Sequence, residues 1–231
     1  MRTLQNIVAI TSLILVLANT SFPQNIYEDS VVSIIKKAYG AQYDIYLTDL
    51  NLILNKKPEI GHRMKDPFKT LSNCQIFIAD APRNAKFHKP KTIVGIVRGG
   101  QILWRSEDLA GSFSGLSSSI STIDDINKDG MVDVVISEET DHGDVVRLWI
   151  FSWDGEKGRN INQCDESSCS LLLTESDYKL VDVDNDGITE IQASWYENTN
   201  SKKTSKVIYS WNGKLYGKWQ TSKELRNHKS K

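Results

Sequence analysis

The chain has 231 residues, with 28 basic against 29 acidic side chains and a formal net charge of −1. That balance leaves no basic excess of the kind a nucleic-acid surface requires, so no nucleic-acid partner is expected. The length suits one domain with a substantial core, or a small domain with an extension.

Met1 to Ala18 reads as a secretory signal: Arg2 begins it, Ile7–Leu17 is apolar, and Val16-Leu17-Ala18 forms a small-residue cleavage pattern. A membrane anchor is the alternative. Spanning a bilayer takes roughly 20 apolar residues, more than Ile7–Leu17 supplies. No Cys follows the apolar run to accept a lipid. A secreted or periplasmic protein is therefore expected, with no integral membrane span in its mature form.

Residues 19–72 read as an N-terminal extension. Asp29 or Ser30 caps a helix over about 30–39, with Val31, Ile34, Ile35 and Ala38 on one face and Gly40 at its end. Ile45, Leu47, Leu50, Leu52 and Leu54 fit a strand or a helix equally well. Ala81–Lys91, with two prolines and several charges, reads as a surface loop, and Gly111–Ser119 as a Ser/Gly connection. Cys164 and Cys169 lie in a polar connection, spaced for a small disulfide loop in an oxidising compartment; Cys74 beside Ile76-Phe77-Ile78 reads as a buried free thiol. The tail, 221–231, is basic and reads as disordered.

Residues 73–220 contain a repeat. Asp125-Ile126-Asn127-Lys128-Asp129-Gly130-Met131-Val132-Asp133 places oxygen-bearing side chains at positions one, three, five and nine. The pattern recurs 57 residues later as Asp182-Val183-Asp184-Asn185-Asp186-Gly187-Ile188-Thr189-Glu190. Calcium takes six to eight oxygen ligands at about 2.3–2.6 Å, which requires a tight turn carrying several carboxylates and a carbonyl. Gly130 permits the turn. The ligand set read from the first loop is Asp125, Asn127, Asp129, the Met131 carbonyl and Asp133. The matching positions of the second are Asp182, Asp184, Asp186, Ile188 and Glu190.

Each loop lies between alternating apolar runs, Ile120 and Ile123 before Val134 and Ile136, then Leu180 before Ile191 and Ala193, and so reads as a bend between strands. An EF-hand is excluded, because its twelfth position needs Glu and here carries Ile136 and Ala193. The repeat extends further. Val145–Gly155 matches Lys206–Gly213, each an apolar run ending in Asp-Gly or Asn-Gly, and Ile93–Gly100 followed by Gln101–Trp104 is a weaker copy. The unit reads as hairpin, connection, strand, cation loop, strand.

These residues, from roughly Ile93 to Trp219, resemble the FG-GAP or VCBS-type repeats of integrin-like β-propellers, whose blades carry Asp-x-Asp/Asn-x-Asp-Gly-x-x-Asp calcium loops. The resemblance implies a mainly β fold of four-stranded propeller-type blades, forming a small or incomplete propeller behind the short helical extension. It also implies calcium held by Asp125, Asn127, Asp129 and Asp133 and by Asp182, Asp184, Asp186 and Glu190. The chain departs from the pattern in lacking Phe-Gly and Gly-Ala-Pro tripeptides and in placing Glu190 where the family prefers Asp.

Chemistry beyond the cation is sparse. Asp141-His142-Gly143-Asp144 reads as a polar turn rather than an acid/base cluster. Trp104, Trp149, Trp153, Trp195, Trp211 and Trp219 recur with the repeat, and core packing is favoured over a carbohydrate platform. The expected function is an exported, calcium-binding, non-enzymatic module that binds another envelope or extracellular protein. The alternatives are a periplasmic inhibitor or immunity protein against a peptidoglycan-cleaving enzyme, a carbohydrate-binding protein, and a hydrolase using Asp141, His142 and Asp144.

Overall fold

The computed structural model describes residues 24–57, 59–66, 70–81, 92–107, 109, 116–140, 145–164, 169–174, 177–196 and 204–219. The expected signal, the 82–91 and 111–115 segments, Asp141–Asp144 and the basic tail lie outside the described residues. What is described is mainly β, with three antiparallel sheets and two helices. Neither helix is long and apolar enough to cross a membrane.

Each sheet is a meander in which a strand pairs with the next. The first holds β1 (Asp44–Asp49), β2 (Cys74–Asp80), β3 (Thr92–Arg98) and β4 (Gln101–Arg105). The second holds β5 (Leu116–Asp124), β6 (Val132–Thr140), β7 (Val145–Trp153) and β8 (Gly158–Asn160), with β9 (Leu171–Thr174) also paired to β7. The third holds β10 (Asp177–Val181), β11 (Glu190–Tyr196), β12 (Thr204–Trp211) and β13 (Tyr216–Lys218). Helix α1 spans Gln24–Tyr39 and α2 spans Leu50–Lys56.

The segment read as an extension thus supplies β1, the edge of the first sheet. Its ambiguous apolar run is both things in turn: Ile45 and Leu47 lie in β1, and Leu50 to Leu54 in α2. Asp49 divides them, since its carboxylate accepts from the Asn51 N–H at 2.8 Å and caps the helix. Helix α1 begins six residues before the expected start and ends at Gly40, whose φ of +135° suits only glycine. The Ser/Gly connection is shorter than expected, because Leu116–Ser119 already pair in β5.

Period-two alternation decides how the sheets stack. Ile76 and Ile78 of the first sheet meet Val132, Val134, Ile136, Trp149, Phe151 and Trp153 of the second in one core. The opposite face of the second sheet, with Val135, Leu148 and Ile150, packs on Ile191 and Ala193 of the third. Helix α1 covers the outer face of the first sheet through Val31 and Ile35, against Phe77, Ala79, Ile93 and Val97. Gly95 leaves the space that Phe77 fills, as a Cβ there would stand 2.4 Å from the ring.

The turns repeat as the sequence suggests. Asp154 accepts from the N–H groups of Glu156 and Lys157 at 2.9 and 2.7 Å, and Asn212 from those of Lys214 and Leu215 at 3.0 Å each. Gly155 and Gly213 follow with φ of +99° and +91°. The structural unit is phased differently from the sequence unit: strand, cation loop, strand, connection, hairpin. In the first sheet, α2 and the segment after it take the place of the cation loop.

Candidate metal centre

The two Asp-rich loops join β5 to β6 and β10 to β11, and they fold alike. Gly130 N–H donates to Asp125 Oδ2 and Gly187 N–H to Asp182 Oδ2, both at 2.9 Å. Met131 N–H reaches Asp129 Oδ1 at 3.0 Å and Ile188 N–H reaches Asp186 Oδ1 at 2.8 Å. Ile126 N–H meets Asp133 Oδ2 at 3.2 Å, and Val183 N–H meets Glu190 Oε2 at 2.8 Å. The backbone turns left-handed at Lys128 and Asn185, φ +57° and +61°, and again at Gly130 and Gly187, φ +81° and +87°. Asp125 holds two peptides of its loop, since its Oδ1 also accepts from Asp129 N–H at 3.0 Å.

In the first loop Asp125, Asp129 and Asp133 converge, with one carboxylate oxygen of each within 4.8 Å of the others. Asn127 stands beside them, its Oδ1 accepting from Asp129 N–H at 2.9 Å and its Nδ2 donating to Asp129 Oδ2 at 3.3 Å. In the second loop the converging set is Asp182, Asp184 and Glu190; Asp186 is not part of it. Met131 and Ile188, expected to offer carbonyls, sit at the loop exits with their amides bonded inward.

The loops differ in burial. Asp125, Asn127, Asp129 and Asp133 are all buried, whereas Asp184 and Asp186 are exposed and Glu190 is buried. The cause is position. The first loop belongs to the middle sheet, and the segment after α2 walls it in: Arg63 N–H donates to Gly130 O at 3.2 Å, a Gly130 Cβ would meet the His62 ring at 2.5 Å, and Lys57 pairs with Asp124. The Arg159 guanidinium lies 3.5 Å from Asp129 Oδ2.

Both loops concentrate carboxylates where water is partly excluded. Burial pushes the Asp133 carboxyl up to about 8, with the charges of Asp129 and Asp125 adding to the rise. Burial raises Asp125 and Glu190 as well; Asp184, Asp186 and Asp182 reinforce the effect on Glu190. Asp133 Oδ1 and Asp182 Oδ1 are buried without a hydrogen-bond partner among the described residues. An orphaned buried carboxylate oxygen is costly unless a cation meets it. Oxygen-only donors of this kind suit a hard divalent metal ion, and both clusters can hold one.

Other expected residues fall into place as structure. Cys164 and Cys169 form a disulfide, and Cys74 is a buried free thiol. Trp149 and Trp153 lie in the core, and the half-buried Trp104 packs on Phe151 and Trp153 at ring distances of 5.5 and 6.2 Å. The connection that leaves β8 at Asn160 leads to β9, which pairs with the same strand, β7. It bonds to the third sheet through Tyr216 N–H to Ile161 O and Gln163 N–H to Tyr216 O, each at 2.7 Å.

Sequence reasoning missed Tyr216. Its hydroxyl lies 2.9 Å from Thr189 O and 3.2 Å from Ile126 O, touching both cation loops. The repeat hides it, because the residue paired with Trp153 in the second sheet is Gly158, whereas the residue paired with Trp211 in the third is Tyr216. The gap above Gly158 is filled from outside by Trp104. Comparison with protein-family models, with curated proteins and with solved structures finds no match to this chain.

Proposed function

We propose that the protein is an exported, calcium-binding module that engages another envelope or extracellular protein and catalyses no reaction. Its three sheets are blades of an open propeller-type array of the FG-GAP or VCBS kind, capped by α1 on one side. The outer surface of the third sheet, where Lys179 and Lys206 are exposed, supports an array that ends there. The observation that carries the reading is the pair of matching loops, each directing unsatisfied buried carboxylate oxygen inward between strands.

Calcium would be held by Asp125, Asn127, Asp129, the Met131 carbonyl and Asp133, and by Asp182, Asp184, Asp186, the Ile188 carbonyl and Glu190. Its charge offsets the mutual repulsion of the carboxylates. Export supports calcium as the ion, since sites of modest affinity fill outside cells. Stiffened loops present a preformed surface and reduce the ordering cost of binding a partner.

Melting in EDTA and in calcium tests the reading. With dissociation constants of ~10 μM and ~1 mM free ion, each site adds about 2.7 kcal/mol, so a clear rise in Tm is expected. An unchanged midpoint sinks the calcium assignment. For the partner, immobilised protein should retain an envelope protein in calcium, release it in EDTA and bind it saturably once purified. Saturable binding to a glycan array with no protein retained contradicts the interaction reading.

A further inference from the structure

The two cation loops are not independent. Thr189 N–H, next to the ligand Glu190, donates to Ile126 O at 2.8 Å, and Ile126 lies between the ligands Asp125 and Asn127. The N–H of the same residue donates to Asp133 Oδ2 at 3.2 Å. One residue therefore links a carboxylate of the first loop to the backbone of the second, through the two peptides that flank its Cα. Tyr216 closes the junction. Fully buried in the core between the second and third sheets, it places its hydroxyl 2.9 Å from Thr189 O and 3.2 Å from Ile126 O. Ile126 is itself 3% exposed and Thr189 half-buried, so the junction is shielded on the side of the first loop.

We propose that the loops bind their cations with positive cooperativity and that Tyr216 is the positioning residue that couples them. The proposal rests on the cation reading of both loops, which the orphaned Asp133 Oδ1 and Asp182 Oδ1 support independently of the junction. The physics is one of shared ordering. A cation in the first loop draws in Asp133 and fixes the backbone of Ile126, whose carbonyl holds Thr189 in the conformation that aims Glu190. The second cation then meets a loop already ordered, so it binds more tightly than it would alone. Thermodynamic linkage requires the effect to be equal in both directions. Tyr216 touches neither cluster of carboxylates, so its removal should alter the coupling and spare each site.

The test uses the metal-stripped full chain, with calcium chloride alone as the probe in a calorimetric titration. Asp125→Asn with Asp129→Asn leaves only the second loop; Asp184→Asn with Asp186→Asn leaves only the first. The overall two-site constant of the unaltered chain should exceed the product of the two single-site constants by at least about fivefold. In Tyr216→Phe that factor should fall below about twofold, while each single-site constant stays within about twofold of its value with Tyr216 present. A factor near one in the unaltered chain, or an undiminished factor in Tyr216→Phe, overturns the coupling. Absence of saturable calcium binding in every variant overturns the cation reading instead. Should Tyr216→Phe fail to fold, the Thr189 amide decides: filling the first loop alone, in the Asp184→Asn, Asp186→Asn chain, must shift its NMR resonance, and a stationary resonance rejects the link.

Discussion

Asp133 is fully buried at the start of β6, and in the metal-free protein its carboxyl is held up at about 8 by burial and by Asp129 and Asp125. The folded state therefore binds this proton more tightly than the unfolded chain, whose carboxyl titrates near 3.8. The stability it contributes is present in full below the unfolded value and is lost as pH rises through the folded one. In EDTA, chemical denaturation between pH 4 and 8 should show stability falling by up to about 1.4 kcal/mol per pH unit from this group. Calcium competes for the charged form, so the gap between calcium and EDTA midpoints should widen over the same range. Asp133→Asn separates the two effects. In EDTA at pH 8 it should be at least as stable as the native chain, having no charge to bury, while its stabilisation by calcium shrinks. A variant that is less stable in EDTA and responds fully to calcium contradicts the role given to Asp133.

Contact between sheets depends on what each strand leaves vacant. Gly158 on β8 accepts the Trp104 ring from β4, and a Cβ there would stand 2.3 Å from it. Gly158→Ala should cost about 1–3 kcal/mol, as overpacking does, with the calcium response intact. A loss below about 0.5 kcal/mol in urea denaturation shows that the ring has room to move. The Cys164–Cys169 bridge closes a loop with a sequence separation of 5 within the excursion between β8 and β9. Closing so short a loop removes little chain entropy, so reduction should cost about 2 kcal/mol, the low end for disulfides. Because Ile161 and Gln163 bond to Tyr216, the bridge also shapes a join between the second and third sheets. The hairpin turns, the matching bends of the two Asp-rich loops and the bridge were legible because turn chemistry is local: Asp-Gly, Asn-Gly and the Asp-x-Asp/Asn-x-Asp-Gly pattern state their own conformation. The division of the 45–54 run at Asp49 was not, since an N-cap in the middle of an apolar stretch announces neither element.

For the molecule as a whole, long-range packing fixed what the sequence left open. β1 joins the first sheet by pairing with β2, a partner 25 or more residues away, and nothing in Asp44–Asp49 names that partner. The burial of the first loop under His62 and Arg63, and the Tyr216 junction, likewise arise from segments distant along the chain. Counting carboxylates gives four in the second loop against three in the first. Burial favours the first, because electrostatic attraction is stronger where water is excluded. The proposal that unites these features is that calcium holds the two Asp-rich turns of the three-sheet stack, and amide NMR of the metal-stripped chain during a calcium titration tests it most directly. The Gly130 and Gly187 N–H groups already bond to the Asp125 and Asp182 carboxylates, so both resonances should shift saturably, reporting two sites. If both stay in place at 10 mM calcium, on the order of ten times the concentration outside cells, neither loop is a calcium site and the account fails.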